Sequence, residues 1–525
     1  MIRHLYAALA LGALALPPAP AMAQAFPTDD PVISAIWAEG MDNSHVYSLA
    51  QVLLDSIGPR LTGAPGQLAA NRWAEQVLEG WGVEARNEQY GTWRGWRRGI
   101  SHVDLLEPRV RSLAGMLLAW SPGTAGGPIE GGTVILADPD DEASFAAWLP
   151  SVEGKFVLVT FAQPTCRPDA NWEEYAAPGS FERMEALRDS LQQAWRSRMG
   201  RYGLPDAEIV RRLEQAGAIG LLASNWATGW GANRVFAANT ERIPAFDLSC
   251  EDYGLVYRLT EHGQGARLRA VADAAFTGEA PLFNTIGVIP GTEKPDEYVL
   301  LSAHYDSWDG GSGATDNGTG SITMLEAMRI LKTVYPAPKR SIMIGLWASE
   351  EQGLNGSRAF VRDHPEIVAG LQALFNQDNG TGRIVRVSGS GLVGAGEFFG
   401  RWFSQIPQEL TREIDVSFPG TPSGGGTDHA SFICAPSPAF GLGSLNWEYF
   451  RYTWHTQIDT FDKLVFDDLR NNATLTAMLA YLAAEEPERI PLDQRVMPTN
   501  PRTGEQRTWP ECRDPMRSWE EYRGR

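Results

Sequence analysis

Largely apolar runs of strand length recur through the C-terminal half of the chain, and amphipathic stretches separate them. YVLLSA (Tyr298–Ala303), SIMIGLW (Ser341–Trp347) and LQALFN (Leu371–Asn376) do not alternate apolar with polar, which predicts strands buried on both faces. Ala439–Leu445 is a further candidate. Between positions 321 and 334, Ile322, Leu325, Met328, Leu331 and Val334 recur at helical spacing. Apolar strands alternating with such helices predict an α/β fold: a mostly parallel sheet covered by helices on both faces. Nearer the start, Ser48–Gly58 reads as a helix. Gln67–Trp81 reads as a second, with Ala69, Trp73, Val77 and Leu78 on one face and Gly82 ending it. Val83–Tyr90 reads as a strand.

The texture changes between about 120 and 277. Short apolar strands stand at GGTVILAD, GKFVLVTFA, AGAIGLLAS and RIPAFDLS, with one long polar helix over Glu182–Gln215. This is the pattern of a β-rich inserted domain, and it contains no cluster of metal-ligand residues. The expected organisation is therefore 24–119 and 278–490 as two parts of one domain, 120–277 as the insertion, and 491–525 as a polar tail. Residues 1–23 form a secretory signal: a basic start at Arg3 and His4, an apolar run from Leu5 to Leu16, and Ala21-Met22-Ala23 as the cleavage site. The run is too short to span a bilayer, and no later stretch reaches the roughly 18 apolar residues that spanning needs.

Composition narrows the class. The 525 residues exceed one ordinary domain. Hydrophobic residues make up 43% and charged ones 21%, as in a soluble globular protein. A formal net charge of -19 repels nucleic acid and anionic lipid, so neither is an expected partner. Cys166, Cys250, Cys434 and Cys512 lie far apart without CxxC spacing. They are poor zinc ligands; in an exported chain they could oxidise in any of three pairings, or equally sit buried as small apolar residues.

The chemistry lies where the apolar strands end. His304 follows YVLLSA, Glu350 and Glu351 follow SIMIGLWAS, and Asp378 follows LQALFNQ. In open α/β sheets ligands bind beyond the carboxyl ends of the strands, so three strands deliver ligand-type side chains to one edge. Asp316 lies in the Gly-rich loop GGSGATDNGTG, and His455 in a later loop. Two imidazoles and three carboxylates suit two adjacent divalent cations sharing one carboxylate, with zinc, manganese or cobalt as candidates. Neighbouring residues of an extended segment point to opposite sides. Glu350 and Glu351 can thus divide the work, one binding metal and the other carrying a proton. Asp306 is placed to fix the His304 ring through its other nitrogen. The GxGxxG match at Gly389–Gly394 is a weak dinucleotide fingerprint inside the same domain and is set aside. No GxSxG element supports a serine hydrolase.

HYDSW, ATDNGTG, ASEEQGLNGS, NQDNGTG, GGTDHASF and TWHTQIDT together resemble the motif series of the co-catalytic zinc aminopeptidase family, nearest to its plasma glutamate carboxypeptidase (carboxypeptidase Q) branch. The resemblance runs from about Asn284 to Leu464, and weakly through IGPRLTG and LEGWGV; the insertion resembles a protease-associated domain. It implies an exported metal-dependent exopeptidase acting on short peptides or dipeptides, with two divalent metal ions, zinc by preference. His304 and Asp378 would bind one ion, Glu351 and His455 the other, and Asp316 would bridge them. Glu350 would be the general base, Asp306 would orient His304, and the Asp316–Asn317 peptide would be cis. Asp428 and His429 would support the site rather than bind metal. Relatives place an oxyanion-stabilising Tyr just before the TDH element; here that stretch is Ser423-Gly424-Gly425-Gly426, leaving Tyr452 or His429 as substitutes. A homodimer is the candidate assembly, with no membrane association after signal cleavage. Two alternatives share the fold: a one-metal glutaminyl cyclase-like enzyme, and a catalytically inactive peptidase-fold binding protein.

Overall fold

The computed structural model describes residues 26–524, so the expected signal segment lies outside the described residues. Fourteen strands form one sheet. At its centre Lys294–His304 runs parallel to both Arg340–Trp347 and Leu371–Gln377, and Ala439–Ser444 runs parallel to Leu371–Gln377. These are the four strands that the apolar runs predict. Arg340–Trp347 and Leu371–Gln377 are buried at every residue.

Strand alternation sorts their side chains into two layers. Val299, Leu301, Ile342, Ile344 and Phe375 enter one core with helices Thr319–Val334 and Phe466–Glu485. Leu300, Met343, Trp347 and Leu374 enter another with Phe360 and Phe432 on the opposite face. Thr319–Leu331 is buried all round because the helix packs on the sheet beside Phe466–Glu485 and is covered by helices Pro31–Trp37 and Val46–Ala50.

The helix Pro65–Gly80 turns a different face inward from the one its bulky residues suggest. Ala70, Ala74 and Leu78 are buried, Trp73 and Val77 are partly covered, and Ala69 is exposed. The small residues let the helix approach closely, and the large ones close its flank.

Two long strands, Glu84–Glu107 and Arg267–Ile289, run antiparallel from Glu84↔Val288 to Glu107↔Arg267. Only Val83–Tyr90 is legible in the sequence, because register shifts after Gln89, Gly95, Arg98 and Leu105 break the alternation. The pair carries the sheet into residues 120–277. There Ile129–Ile135, Lys155–Leu158, Gly220–Ala223 and Ala245–Leu248 form a second parallel set. Phe145, Val157, Tyr202, Leu213 and Leu221 form a core of its own. The long polar helix expected over Glu182–Gln215 is two helices, Ser180–Arg201 and Asp206–Gln215. Gly203 takes φ 61° between them, and Pro205 precedes the second, where its missing N–H costs nothing.

All four cysteines are paired, as Cys166–Cys250 and Cys434–Cys512. The second disulfide fastens the tail beside helix His429–Ile433. The tail is packed down: Trp509 donates to the Ile433 carbonyl at 2.8 Å, and Trp519 is buried against Trp93 and Trp120. Among the described residues no helix is long and apolar enough to cross a membrane.

Candidate metal centre

The carboxyl ends of the central strands and two loops deliver five side chains to one point. His304, the last residue of its strand, sets Nε2 3.3 Å from Asp316 Oδ1 and 3.4 Å from Asp378 Oδ1. His455 sets Nε2 3.3 Å from Asp316 Oδ2 and 2.9 Å from Glu351 Oε2. The donor atoms of His304, Asp316 and Asp378 all lie within 4.8 Å of one another, and so do those of Asp316, Glu351 and His455. Asp316 belongs to both groups, one oxygen facing each imidazole. All five sequence-selected ligand candidates therefore meet.

Asp316 Oδ2, Glu351 Oε1 and Asp378 Oδ1 are buried without hydrogen-bond partners. Buried carboxylate oxygens are rarely left so, since desolvation of a charge is costly without a partner. Oxygen and imidazole donors converging in two triads fit divalent cations of the zinc type.

Backbone and neighbouring side chains hold these donors in place. Asp459 accepts the Thr315 N–H at 2.9 Å and the Asp316 N–H at 3.1 Å, which fixes the Asp316 loop. The Asp316–Asn317 peptide is cis. Arg60 is fully buried and donates to the carbonyls of Tyr305 and Ser312 at 2.7 Å each and of Gly313 at 3.0 Å. It thereby ties the loop after His304 to the loop before Asp316. Tyr449, also buried, sets its phenol against the Asp316 carboxylate. Sequence reasoning assigned no role to Asp459, Arg60 or Tyr449. Asp459 and Arg60 fall inside TWHTQIDT and IGPRLTG, so their position was marked; Tyr449 carries no local signal.

Two details differ from the expectation. Glu350 and Glu351 do not lie in an extended segment. Ser349 takes φ 55°, and the Glu350 carbonyl accepts from Gly353 and Leu354, which makes a turn. Asp306 shapes that turn: its carboxylate accepts the N–H of Glu350 at 3.0 Å and of Glu351 at 3.3 Å. The His304 Nδ1 faces the backbone carbonyl of Asp306 at 3.1 Å, while the Asp306 carboxylate stands 3.7 Å away.

Electrostatics separates the groups. Burial raises the Glu350 and Glu351 carboxyls well above the ordinary range; neighbouring carboxylates add to this and His304 opposes it. Burial lowers the His455 imidazole to about 4, which leaves it neutral and able to donate a lone pair at neutral pH. Burial lowers His429 to about 4 as well, and its Nδ1 has no partner. Among the described residues, neither donor triad includes Glu350, Asp428 or His429.

The comparisons agree with this chemistry. Residues 284–480 match the model of peptidase family M28. Carboxypeptidase Q of Bos taurus is 27% identical over 454 residues, 86% of this chain and 88% of that protein. Carboxypeptidase Q of Homo sapiens is 25% identical over 459 residues, 87% and 88% of the two chains. Among solved structures, a peptidase M28 precursor from Shewanella amazonensis superposes with TM-score 0.63 at 22% identity, covering 88% of this chain and 97% of that one. BSAP, a zinc aminopeptidase from Bacillus subtilis, gives 0.51 at 19%, covering 86% and 97%. Those two likenesses concern the fold: a largely parallel sheet flanked by helices. With the family M28 model matching the segment that carries all five candidate donors, and with carboxypeptidase Q similar along most of the chain, this protein is a metallo-exopeptidase.

Proposed function

We propose that this exopeptidase works with two cations, is exported, and cleaves a terminal residue from short peptides or splits dipeptides. The observation that carries the reading is Asp316, whose two oxygens each lie 3.3 Å from a different imidazole. His304 and Asp378 would hold one cation and Glu351 and His455 the other, with Asp316 giving an oxygen to each. When bound, such a pair supplies an acidified water and polarises the scissile carbonyl.

The chain's own groups supply the rest. Glu350 interacts with His304 and Asp378 yet stands outside both donor triads. Its raised proton affinity suits it to take a proton from water and return it to the leaving amine near neutral pH. Asp306 holds the Glu350–Glu351 turn, so the ligand and the base keep a fixed relation. Tyr449 is the candidate donor to the carbonyl oxygen as that atom gains charge, in place of the Tyr absent from 423–426. The pairing of all four cysteines supports export, since disulfides persist in oxidising compartments, and it accords with the signal-like start. Residues 120–277 are read as an inserted protease-associated domain.

Metal analysis tests the reading. About two equivalents per chain are expected, with turnover of leucine anilide or a dipeptide lost to a chelator and restored by zinc. Full activity at one equivalent would replace it with a one-cation mechanism.

A further inference from the structure

A cleft of about 340 Å³ opens beside Asp378 and runs over the sheet, with Asn376, Thr427 and His429 near the metal ligands and Arg386 at its other end. Its floor is strand Ala439–Ser444. Gly441 and Gly443 alternate on that strand and so present the same face. A Cβ at Gly441 would meet the His429 ring at 3.1 Å, and one at Gly443 would meet Arg386 Nε at 3.3 Å. The two glycines thus leave the imidazole and the guanidinium room to lie across the floor. Asn376 pairs with Gly441, and Gly443 pairs with Arg386. Arg386 therefore lies two strands from the metal ligand strand, about 10 Å away at the usual strand spacing.

Among the described residues, Arg386 is the one arginine or lysine lining this cleft. Its guanidinium is exposed and makes no hydrogen bond or ion pair among the described residues. Asp415, its register neighbour on the edge strand, does not pair with it. In a chain of net charge -19, an arginine without an ion pair in a cleft that opens on a candidate metal ligand is available to an anion. His429, nine-tenths buried with Nδ1 unpartnered, is a second polar group along the same wall.

We infer that Arg386 anchors a carboxylate of the substrate, one or two residues beyond the scissile bond. An extended residue advances roughly 3.3–3.6 Å, so such a group falls within the reach of an arginine side chain placed there. The inference rests on the exopeptidase reading. The carboxylate has two sources, the peptide's C-terminus or an acidic side chain, and paired probes separate them: Ala-Leu against Ala-Leu-amide, and Ala-Glu-amide against Ala-Gln-amide.

In the zinc-loaded enzyme, Arg386→Ala is expected to lower kcat/KM about 10- to 100-fold for the carboxylate member of one pair, the usual worth of a charge-assisted bond. The loss should fall mainly in KM, with the amide member unchanged and Arg386→Lys recovering part of it. Arg386 is exposed and unpartnered, so these variants should fold. Calorimetric binding of the same probes to Glu350→Gln, with and without Arg386→Ala, reads the carboxylate without turnover. Equal effects of Arg386→Ala on both members of both pairs, or binding indifferent to it, overturn the inference. If the wild type cleaves no probe while Glu350→Gln still binds one in an Arg386-dependent way, the peptidase reading fails and the carboxylate site stands.

Discussion

The backbone N–H of Val235 donates to the carbonyl oxygen of His455 at 2.8 Å. Val235 belongs to the 120–277 segment, and His455 is a donor of the candidate metal centre, so the far segment reaches the chemistry directly. Gln457 strengthens the contact: its Oε1 accepts the Asn233 N–H at 2.8 Å, and its Nε2 donates to the Gly231 carbonyl. Trp454 stacks on the imidazole with centroids 3.9 Å apart, and Phe236 meets it edge-on at 5.5 Å. His455 has φ 60°, and its Nδ1 has no partner. A ligating imidazole is usually oriented by a hydrogen bond from its other nitrogen. Here stacking and the backbone bond from Val235 do that work.

Gln457→Ala should therefore loosen the His455 side of the centre while sparing the His304 side. Outer partners of metal ligands are worth about 10–100-fold in affinity. Zinc titration by competition with a chelator should show one of two sites weakened by that factor. Two unchanged sites would mean that the contact with 225–238 is dispensable for His455.

Glu350→Gln should keep both cations and lose about 10²–10⁴-fold in kcat, the usual share of a positioned proton carrier. The amide keeps the size of the side chain and cannot take the proton. Metal analysis and turnover on one preparation check both halves. Full activity would remove Glu350 from the proton transfer.

The sheet centre and the five candidate donors were legible because both rest on local pattern. Buried parallel strands read as apolar runs such as SIMIGLW, three of the candidates, His304, Glu351 and Asp378, follow such runs, and Asp316 and His455 stand in marked loops. What escaped depends on contacts distant in sequence. Val235 and Phe236 sit in an unremarkable loop and matter only because the insertion folds back on His455. Tyr449 lies six positions before His455, with nothing around it to mark it. The sequence places Asp306 beside the His304 ring, and its carboxylate stands 3.7 Å from Nδ1; that it also holds the Glu350–Glu351 turn is not legible, because this depends on Ser349 leaving the strand at positive φ. The disulfide pairing was open to three possibilities and needed the fold to decide.

Arg60→Ala should destabilise the fold far more than a typical surface change. The guanidinium is wholly buried and satisfies the carbonyls of Tyr305, Ser312 and Gly313, near the Asp306, Asp316 and Asp459 carboxylates. Its loss strands those acceptors and uncompensates buried charge, a cost of about 3–5 kcal/mol. Urea unfolding of the wild type and variant, both free of metal, measures it. A loss below about 1 kcal/mol would show that water replaces the guanidinium.

The metal-free chain should lose stability as pH rises, and cations should reverse the trend. Asp428 and Asp459 have carboxyls pushed up to about 7, chiefly by burial, although backbone donors to Asp459 oppose the shift. Glu350 and Glu351 are raised as well. Between about pH 4 and 7 the folded chain holds protons that the unfolded chain has released, so stability falls across that window. His429 and His455 act oppositely: lowered to about 4 by burial, they lose stability as pH falls below their unfolded value. With Asp247, also pushed up to about 7 by burial, and with His304 raised, these carboxyls outweigh the two lowered imidazoles and the lowered Asp316, and the net slope is downward with pH. Ligands bind cations in their deprotonated forms, so the stabilisation by zinc should grow over the same range. Tm measured from about pH 5 to 8, with chelator and with zinc, should show two curves that diverge as pH rises. A chelated Tm that climbs with pH would mean that these carboxyls ionise in the folded state without penalty.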